Sequence, residues 1–486
     1  MSRARADLHH GGYEARNPVL FTQPIFIGFF ALVFLVHWGL RANAQRKLLL
    51  LVASYLFYAA WDWRFLFLIL VSTVIDFAVG RVLTAPSPRG GRRLWLALSL
   101  IGNLGILGFF KYYNFFVTSA HSALSLLGFE VPEVSLQIIL PVGISFFTFQ
   151  SMSYTLDIYR GQLNAIRNFV DFSLYVAFFP QLVAGPIVRA REFLPQLGIT
   201  RQLAAVPFKA AIGLFLIGFL KKACIADNLA PITDQVFAQP ESFDALSIWI
   251  AVTFYAVQIY CDFSGYTDMA IAVARLLGYE LCVNFDFPYF AANIRDFWRR
   301  WHISLSTWLR DYLYISLGGN RGGPLTAFRN IMITMLLGGL WHGASWNFVV
   351  WGGLHGLALG VHRLYAASSL AGRMDSAPGR LIHIAFTFYW VCIAWIFFRA
   401  PSLDSASSML ESFVGFRSLG TESLEPWLVL WFVPLILCHY LAYQRIGWKT
   451  LEGTPDWLCA IGYGVTTALM LFFVPVEYKP FIYFQF

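Results

Sequence analysis

The chain has 486 residues, of which 58% are hydrophobic, 18% aromatic and 13% charged, with a formal net charge of +8. Soluble domains carry about a quarter charged residues, so a water-soluble globular protein is excluded. The positive charge is spread over short loops, which sets orientation in a membrane rather than binding nucleic acid, and no nucleic-acid motif accompanies it.

Apolar runs of about 20 residues, the length that crosses a bilayer, recur along the whole sequence. Arg3, Arg5 and Arg16 precede the first, at 21–40, so residues 1–20 read as a flexible N-terminal extension. Ala42-Asn43-Ala44 resembles a signal-peptidase site. The run before it is longer than a signal h-region of about 7–15 residues, and Arg41 directly precedes the site, which favours an uncleaved span. Further spans begin near 47, 64, 94, 137, 169, 206, 245, 328, 348, 380, 426 and 457. The chain thus reads as one domain, residues 1–486, an all-α polytopic membrane protein of about 11–13 transmembrane or re-entrant segments. Segments 136–159, with Pro141 and Gly143, and 171–188, with Pro180, Gly185 and Pro186, are the re-entrant or kinked ones. Irregular backbone at that depth must be covered by protein or line a cavity.

Two basic loops, Arg41-Arg46-Lys47 and Arg89-Arg92-Arg93, flank the near-neutral turn Trp61-Asp62-Trp63-Arg64. The positive-inside rule places both loops in the cytoplasm and the N-terminus outside. The six cysteines, Cys224, Cys261, Cys282, Cys392, Cys438 and Cys459, lie in or beside apolar segments without a CxxC pair and read as core residues.

Residues 284–330 depart from plain spans. Arg295, Arg299, Arg300, Arg310, Arg321 and Arg329 alternate with Phe297, Trp298, Trp301, Trp308, Tyr312 and Tyr314. This mixture suits interfacial helices, with aromatics at headgroup level and guanidinium groups on lipid phosphates. The same arginines, Arg299 and Arg300 above all, could instead hold an anionic donor such as the phosphates of coenzyme A. His302 lies within this stretch.

The next stretch, after Arg329, is nearly free of charge and carries His342 in Gly338-Gly339-Leu340-Trp341-His342-Gly343-Ala344-Ser345-Trp346. An ionisable group at membrane depth is costly and marks a functional site by default, and histidine exchanges protons near neutral pH. The glycines allow close helix approach or a channel, and Trp341 and Trp346 would shape an apolar slot. A core histidine satisfied by a carbonyl is the bland alternative. His355, thirteen positions later and about 220° around a continuous helix, would face elsewhere. Asp262 and Asp268 sit in an otherwise apolar stretch; buried carboxylates need partners, and the arginines at 295–310 are candidates, with an acceptor path as the other reading. Gln150, Ser153, Tyr154 and Asp157 give a weaker version of that signal. No HExxH, GxSxG, P-loop or dinucleotide fingerprint is present.

Five ordered segments, LPVGISFFTFQSMSYTLDIYRG (140–161), YVAFFPQLVAGPIVR (175–189), QIYCDFSGYTDMAIAVARLLGY (258–279), NFDFPYFAANIRDFWRRWHISLSTWLRDYLYISLGGNRGG (284–323) and LLGGLWHGASWNFVVWGGLHG (336–356), resemble the membrane-bound O-acyltransferase (MBOAT) family. Within it the likeness is to the alginate O-acetylase (AlgI-like) branch of bacteria, and it covers nearly all the chain after residue 20. The resemblance implies a ring of helices around a thinned centre, with opposed funnels meeting at His342, the match to the family's catalytic histidine, and His302 as its second motif histidine. It implies an acetyltransferase of the bacterial inner membrane, with no bound cofactor or metal and with acetyl-CoA as the cytoplasmic donor. His342 would be the general base toward an exopolysaccharide such as alginate, with a periplasmic acetyltransferase as partner. Trp341, Trp346, Arg299, Arg300, Asp262 and Asp268 would serve donor or acceptor.

Three other readings stand beside this one. O-acetylation of peptidoglycan or another cell-wall polymer keeps the chemistry and changes the acceptor. A non-catalytic transporter or flippase would also use midplane polar groups, but would survive loss of His342. A scaffold of a polysaccharide export complex would need neither histidine.

Overall fold

The computed structural model describes residues 19–85, 90–129, 132, 134–182, 185–368, 376–444, 453–476 and 479–482. Residues 1–18 of the expected N-terminal extension, and Arg89, lie outside the described residues; Leu20 is already buried. Among the described residues the structure is helical, apart from one isolated bridge between Phe243 and Glu422.

Helix α1 (Pro24–Gly39) opens with a proline, which costs nothing where the first N–H has no intrahelical partner. An extended corner leads into α2 (Asn43–Asp62). Arg46 in this corner is buried, donating to the carbonyls of Leu40 at 2.9 Å and Arg201 at 2.7 Å. Asp62 is extended and accepts from the Arg64 N–H at 3.0 Å, which ends α2 and starts the turn into α3 (Leu66–Leu83). Helix α4 (Gly91–Leu107) passes through a π-helical turn, Gly108–Tyr112, into α5 (Tyr113–Leu126). Helix α6 (Ile144–Tyr159) runs antiparallel to α4. Arg92 at the start of α4 donates to Tyr159 O at 2.8 Å, and Lys111 reaches Ser145 Oγ at 3.4 Å. The two ends of α6 are about 24 Å apart at 1.5 Å per residue. Between them Asp76 of α3 accepts from Ser99 and Asn103 of α4 and from Ser151 of α6, so this buried carboxylate is fully hydrogen-bonded.

The kink expected around Pro180 separates α7 (Phe169–Ala177) from α8 (Phe179–Leu182), and Phe178 and Phe179 are completely buried, so protein covers the irregular backbone. Short α9 (Ala190–Leu197) precedes α10 (Phe208–Phe219), a second π-helical turn at Leu220–Ala226, and α11 (Asp227–Ala238). The axis of the molecule is α12 (Ala245–Leu276), 78% of whose most apolar stretch is buried. Then come α13 (Ile294–Arg300), α14 (Ile303–Trp308), a third π-helical turn at Leu309–Tyr314, α15 (Pro324–His342) and α16 (Trp346–Ala366). The chain continues through α17 (Ala377–Arg399), α18 (Leu403–Gly415), α19 (Phe432–Tyr443) and α20 (Asp456–Leu471).

Among the described residues five helical stretches are long and apolar enough to cross a membrane: 43–83, 91–126, 245–276, 378–399 and 426–443; α1 and α20 are shorter apolar helices. The spans expected near 137, 169, 206, 328 and 348 form helices that are shorter or less apolar, because glycine, proline and polar side chains interrupt them. Leu35, Leu56, Phe67, Ile436 and Leu469 are all exposed. An apolar outer surface of this extent suits contact with lipid. Cys438 belongs to it and is exposed, unlike the core residue expected from sequence; Cys261, Cys392 and Cys459 are buried.

Candidate active site

Helices α15 and α16 approach until backbone meets backbone. A Cβ on Gly339 would run into the Phe348 carbonyl, and one on Gly352 into the Met335 carbonyl, so only glycine fits this crossing. Gly343 and Ser345 are extended, which breaks the chain between the two helices and leaves His342 as the last residue of α15. The continuous helix assumed for His355 therefore does not exist. His355 stands on α16, and the Trp351 ring lies 4.9 Å from His342 and 4.7 Å from His355.

His302 reaches the same place from the other side. It is the N-cap of α14 with φ 42°, a left-handed conformation that costs an L-residue about 1–2 kcal/mol. Neighbouring bonds hold it there: Ile303 N–H donates to Asn284 O at 2.9 Å, while Ser304 N–H and Oγ donate to Asn284 Oδ1 at 3.0 and 2.9 Å. The ring is fully buried, which rules out an interfacial histidine on a headgroup, and its centroid is 6.3 Å from that of His342. Trp341 at 5.7 Å and Phe263 at 4.7 Å wall His302; Trp341 at 5.0 Å and Phe398 at 5.3 Å wall His342. Trp346, expected as the second wall, is 54% exposed and packs on Phe115 at 5.6 Å. Trp351 takes that place, five residues and about 140° further round α16.

Two openings approach this centre. A narrow pocket of about 50 Å³ is lined by Lys111, Pro141, Ser145, Trp341 and His342. A larger cavity of about 740 Å³ is lined by Arg295, Arg299, Arg310, His362 and Arg363, with Leu309 and Met335 also on its wall. Met335 precedes His342 by two helical turns, about 10 Å. The small pocket adjoins the Ser145 end of α6; the cavity's rim adjoins the other end, where Arg160 donates to Asp311 O at 3.1 Å. The openings thus lie at opposite depths.

The arginine stretch is arranged differently from the expectation. Phe297, Trp301, Trp308 and Tyr312 turn inward and are buried, rather than standing at headgroup level. Arg299 faces the cavity, whereas Arg300 is held by Asp296 at 2.9 Å and Asp286 at 3.7 Å and is not part of the lining. Burial would raise the Asp311 carboxyl, but a hydrogen bond from Arg310 at 2.6 Å and an ion pair with Arg189 at 2.7 Å hold it below the usual carboxylate range.

Asp262 and Asp268 do not pair with arginines. Lys222 is buried between Asp227 at 2.7 Å and Asp262 at 2.6 Å, and Lys221 pairs with Asp268 at 2.7 Å. The π-helical turn of 220–226 packs on α12 and presents both lysines to it, whereas α13 packs on α16 and the π-helical turn after α14 packs on α15. Asp262 also accepts from Ile482 N–H at 2.7 Å, and Lys222 donates to Lys479 O at 3.2 Å. The carboxylates are thus committed to a closed ionic knot. Asp157 likewise accepts from Tyr312 Oη at 2.7 Å, and Gln150 donates to Tyr175 O.

Sequence reading missed Lys111 and Trp351. A lysine after Phe109-Phe110 inside a span expected from 94 was the available signal for the first. Among the described residues no group of three or more His, Cys, Asp or Glu converges as a metal site. What converges is a buried imidazole beside a pocket, with a second imidazole behind it and a basic cavity on the other side. That arrangement can remove a proton from a hydroxyl while an anionic co-substrate is held nearby.

These features define a multi-pass membrane protein with a buried histidine centre. The model of the membrane-bound O-acyltransferase family matches residues 162–400. The chain is 44% identical over 403 residues to the "Probable alginate O-acetylase AlgI" of Azotobacter vinelandii, covering 82% of this chain and 78% of that one. It is 38% identical over 504 residues to the protein of the same name in Pseudomonas putida, covering 96% and 100%. The "Peptidoglycan O-acetyltransferase" of Helicobacter pylori is 40% identical over 432 residues, covering 82% and 81%. The chain belongs to the membrane-bound O-acyltransferase family and is an O-acyltransferase.

Proposed function

We propose that the protein transfers an acetyl group from cytoplasmic acetyl-CoA, across the bacterial inner membrane, toward hydroxyl groups of an exopolysaccharide such as alginate. His342 is the general base. The observation that carries this reading is the meeting of His302 and His342, 6.3 Å apart, in an aromatic box beside a pocket. The 740 Å³ cavity supports a site for the donor, since its size is that of a cofactor pocket, about 300–1,000 Å³, and Arg299 faces it with Arg295, Arg310 and Arg363 ready for phosphate oxygens. In this reading His342 takes the acceptor's hydroxyl proton as the oxygen attacks the thioester carbonyl, an assistance worth about 10²–10⁴-fold. His302 and the tryptophans orient the reactants and exclude water, which limits thioester hydrolysis. A periplasmic acetyltransferase completes delivery to the polymer. Peptidoglycan is the second reading of the acceptor, supported by the Helicobacter pylori relative.

The test supplies purified protein in nanodiscs with radiolabelled acetyl-CoA and either alginate or peptidoglycan fragments, with periplasmic extract. Thiol release and label transfer are followed for wild type and His342→Gln. Transfer to alginate by wild type and its loss in a folded variant is the expected outcome. Equal turnover in both proteins removes His342 as the base, and transfer to peptidoglycan alone selects the second acceptor.

A further inference from the structure

Lys111 has no part in the reading above, yet it lies against the histidine. It sits in the π-helical turn of Gly108–Tyr112 that interrupts the helix running from 91 to 126. Such turns insert one extra residue and occur frequently at functional sites. Lys111 Nζ donates to the carbonyls of Trp341 at 2.7 Å and His342 at 3.0 Å, and the Tyr112 hydroxyl donates to Leu340 O at 2.7 Å. One turn thus bonds the last three carbonyls of α15, and a cation there complements the helix dipole.

An ammonium has three donors. Two go to those carbonyls, while the contact to Ser145 Oγ is 3.4 Å, longer than an ordinary N–H···O bond. Lys111 forms no ion pair among the described residues, in contrast to Lys221 and Lys222. Lys111, Trp341 and His342 line the same 50 Å³ pocket. About 10–15 Å³ of such space holds one water molecule, so the pocket takes a few oxygen-sized atoms beside Lys111 and His342.

We propose that Lys111 is the oxyanion donor of the acyl transfer, its third N–H bonding the carbonyl oxygen of the thioester as negative charge develops there. The inference rests on the acyl-transfer reading at His342. As His342 takes the hydroxyl proton, the acceptor oxygen forms a bond to the carbonyl carbon and the C=O π pair moves onto oxygen. Lys111 stabilises that oxygen by a charge-assisted hydrogen bond and keeps its own proton. Collapse restores the C=O bond and breaks the C–S bond, and the leaving thiolate takes the proton from His342. One ester and one thiol form, and no net proton is gained or lost.

The experiment compares kcat and KM for acetyl-CoA in wild type, Lys111→Gln, Lys111→Met, Tyr112→Phe and His342→Gln, each checked for a monodisperse folded peak. Lys111→Gln keeps a neutral N–H donor but removes the charge and shortens the side chain by one atom, so a purely structural clamp predicts a loss no larger than that of Tyr112→Phe. The oxyanion role predicts a fall in kcat of about 10²–10³-fold, the loss seen when one such donor is removed, with KM changed less than about twofold. Tyr112→Phe, which cuts the neighbouring clamp bond, should lose less than about tenfold. Wild-type kcat in folded Lys111→Gln, or equal losses in Lys111→Met and Tyr112→Phe, overturns the proposal. Turnover lost in His342→Gln but kept in Lys111→Gln removes Lys111 alone, whereas turnover kept in His342→Gln overturns the acyl-transfer reading and this role with it.

Discussion

Two of the buried polar centres among the described residues are built in opposite ways. The knot of Lys222, Asp227 and Asp262 is closed: cation and carboxylates face one another at 2.6–2.7 Å, and the segment at 479–482 supplies the remaining bonds. The histidine centre is open: His342 stands in aromatic walls and lines a pocket, with a cation bonded to backbone carbonyls instead of to a carboxylate. Burial of ionisable groups is common to both. What separates them is whether the groups are used up on each other or face a space that a reactant can enter.

Crossed substitutions test that contrast most directly. His342→Gln should lower turnover by about 10²–10⁴-fold while the temperature at which the purified protein loses its folded peak stays unchanged. Asp262→Ala should do the reverse. It strands Lys222 with one carboxylate, and breaking a buried pair costs about 3–5 kcal/mol, read as a large drop in thermal midpoint, with turnover per folded molecule retained. A catalytic defect in folded Asp262→Ala would merge the two centres into one.

A smaller effect is expected at the crossing of α15 and α16. Gly339→Ala drives a methyl group into the Phe348 carbonyl, and overpacking of this kind costs about 1–3 kcal/mol. His342 lies three residues on, so turnover should fall along with stability, whereas Gly462→Ala, with nothing near its Cβ, should change neither. Smaller again is Arg299→Ala. One exposed cation at the cavity rim is worth about 0.2–1 kcal/mol, so KM for acetyl-CoA should rise up to about fivefold with kcat unchanged, and less so at high salt. The smallest concerns Asp311, whose carboxyl is held below its usual range by Arg310 and Arg189. A depressed folded-state value gives stability that is complete above the ordinary carboxylate pKa of about 3.9 and is lost as pH falls through the folded-state value. Asp311→Asn should abolish that acid sensitivity, a change below about 1 kcal/mol because the group is part-exposed, detectable in the acid limb of the thermal midpoint.

The contrast between the two centres also explains what could be read from the chain. The long spans were legible because about 20 apolar residues are a local signal, and His342 and His302 because an ionisable group among apolar neighbours is local too. The partner of Asp262 was not. The arginines at 295–310 and the lysines at 221–222 are equally plausible by sequence distance, and only the packing of the 220–226 turn on α12 decides between them. The direction of His355 could not be read for a related reason: the break at residues 343–345 ends α15 and resets the helical phase. The contacts of Trp351 and Lys111 were illegible because they join helices, although Lys111 itself, a lysine inside an apolar span, was a local signal; it touches residues 230 and 231 positions away. The inward turn of Trp301 and Trp308 reversed the interfacial reading, since composition says which residues are amphipathic but not which side is the core.

The ionic knot has a consequence for biosynthesis. Lys222 meets Asp262 soon after both emerge, but the backbone groups that finish the site belong to residues 479 and 482, the latter 220 positions beyond Asp262. At about 5–20 residues per second that interval is on the order of 10–40 s. Throughout it, three charged side chains wait in a nascent membrane protein with part of their bonding unmet.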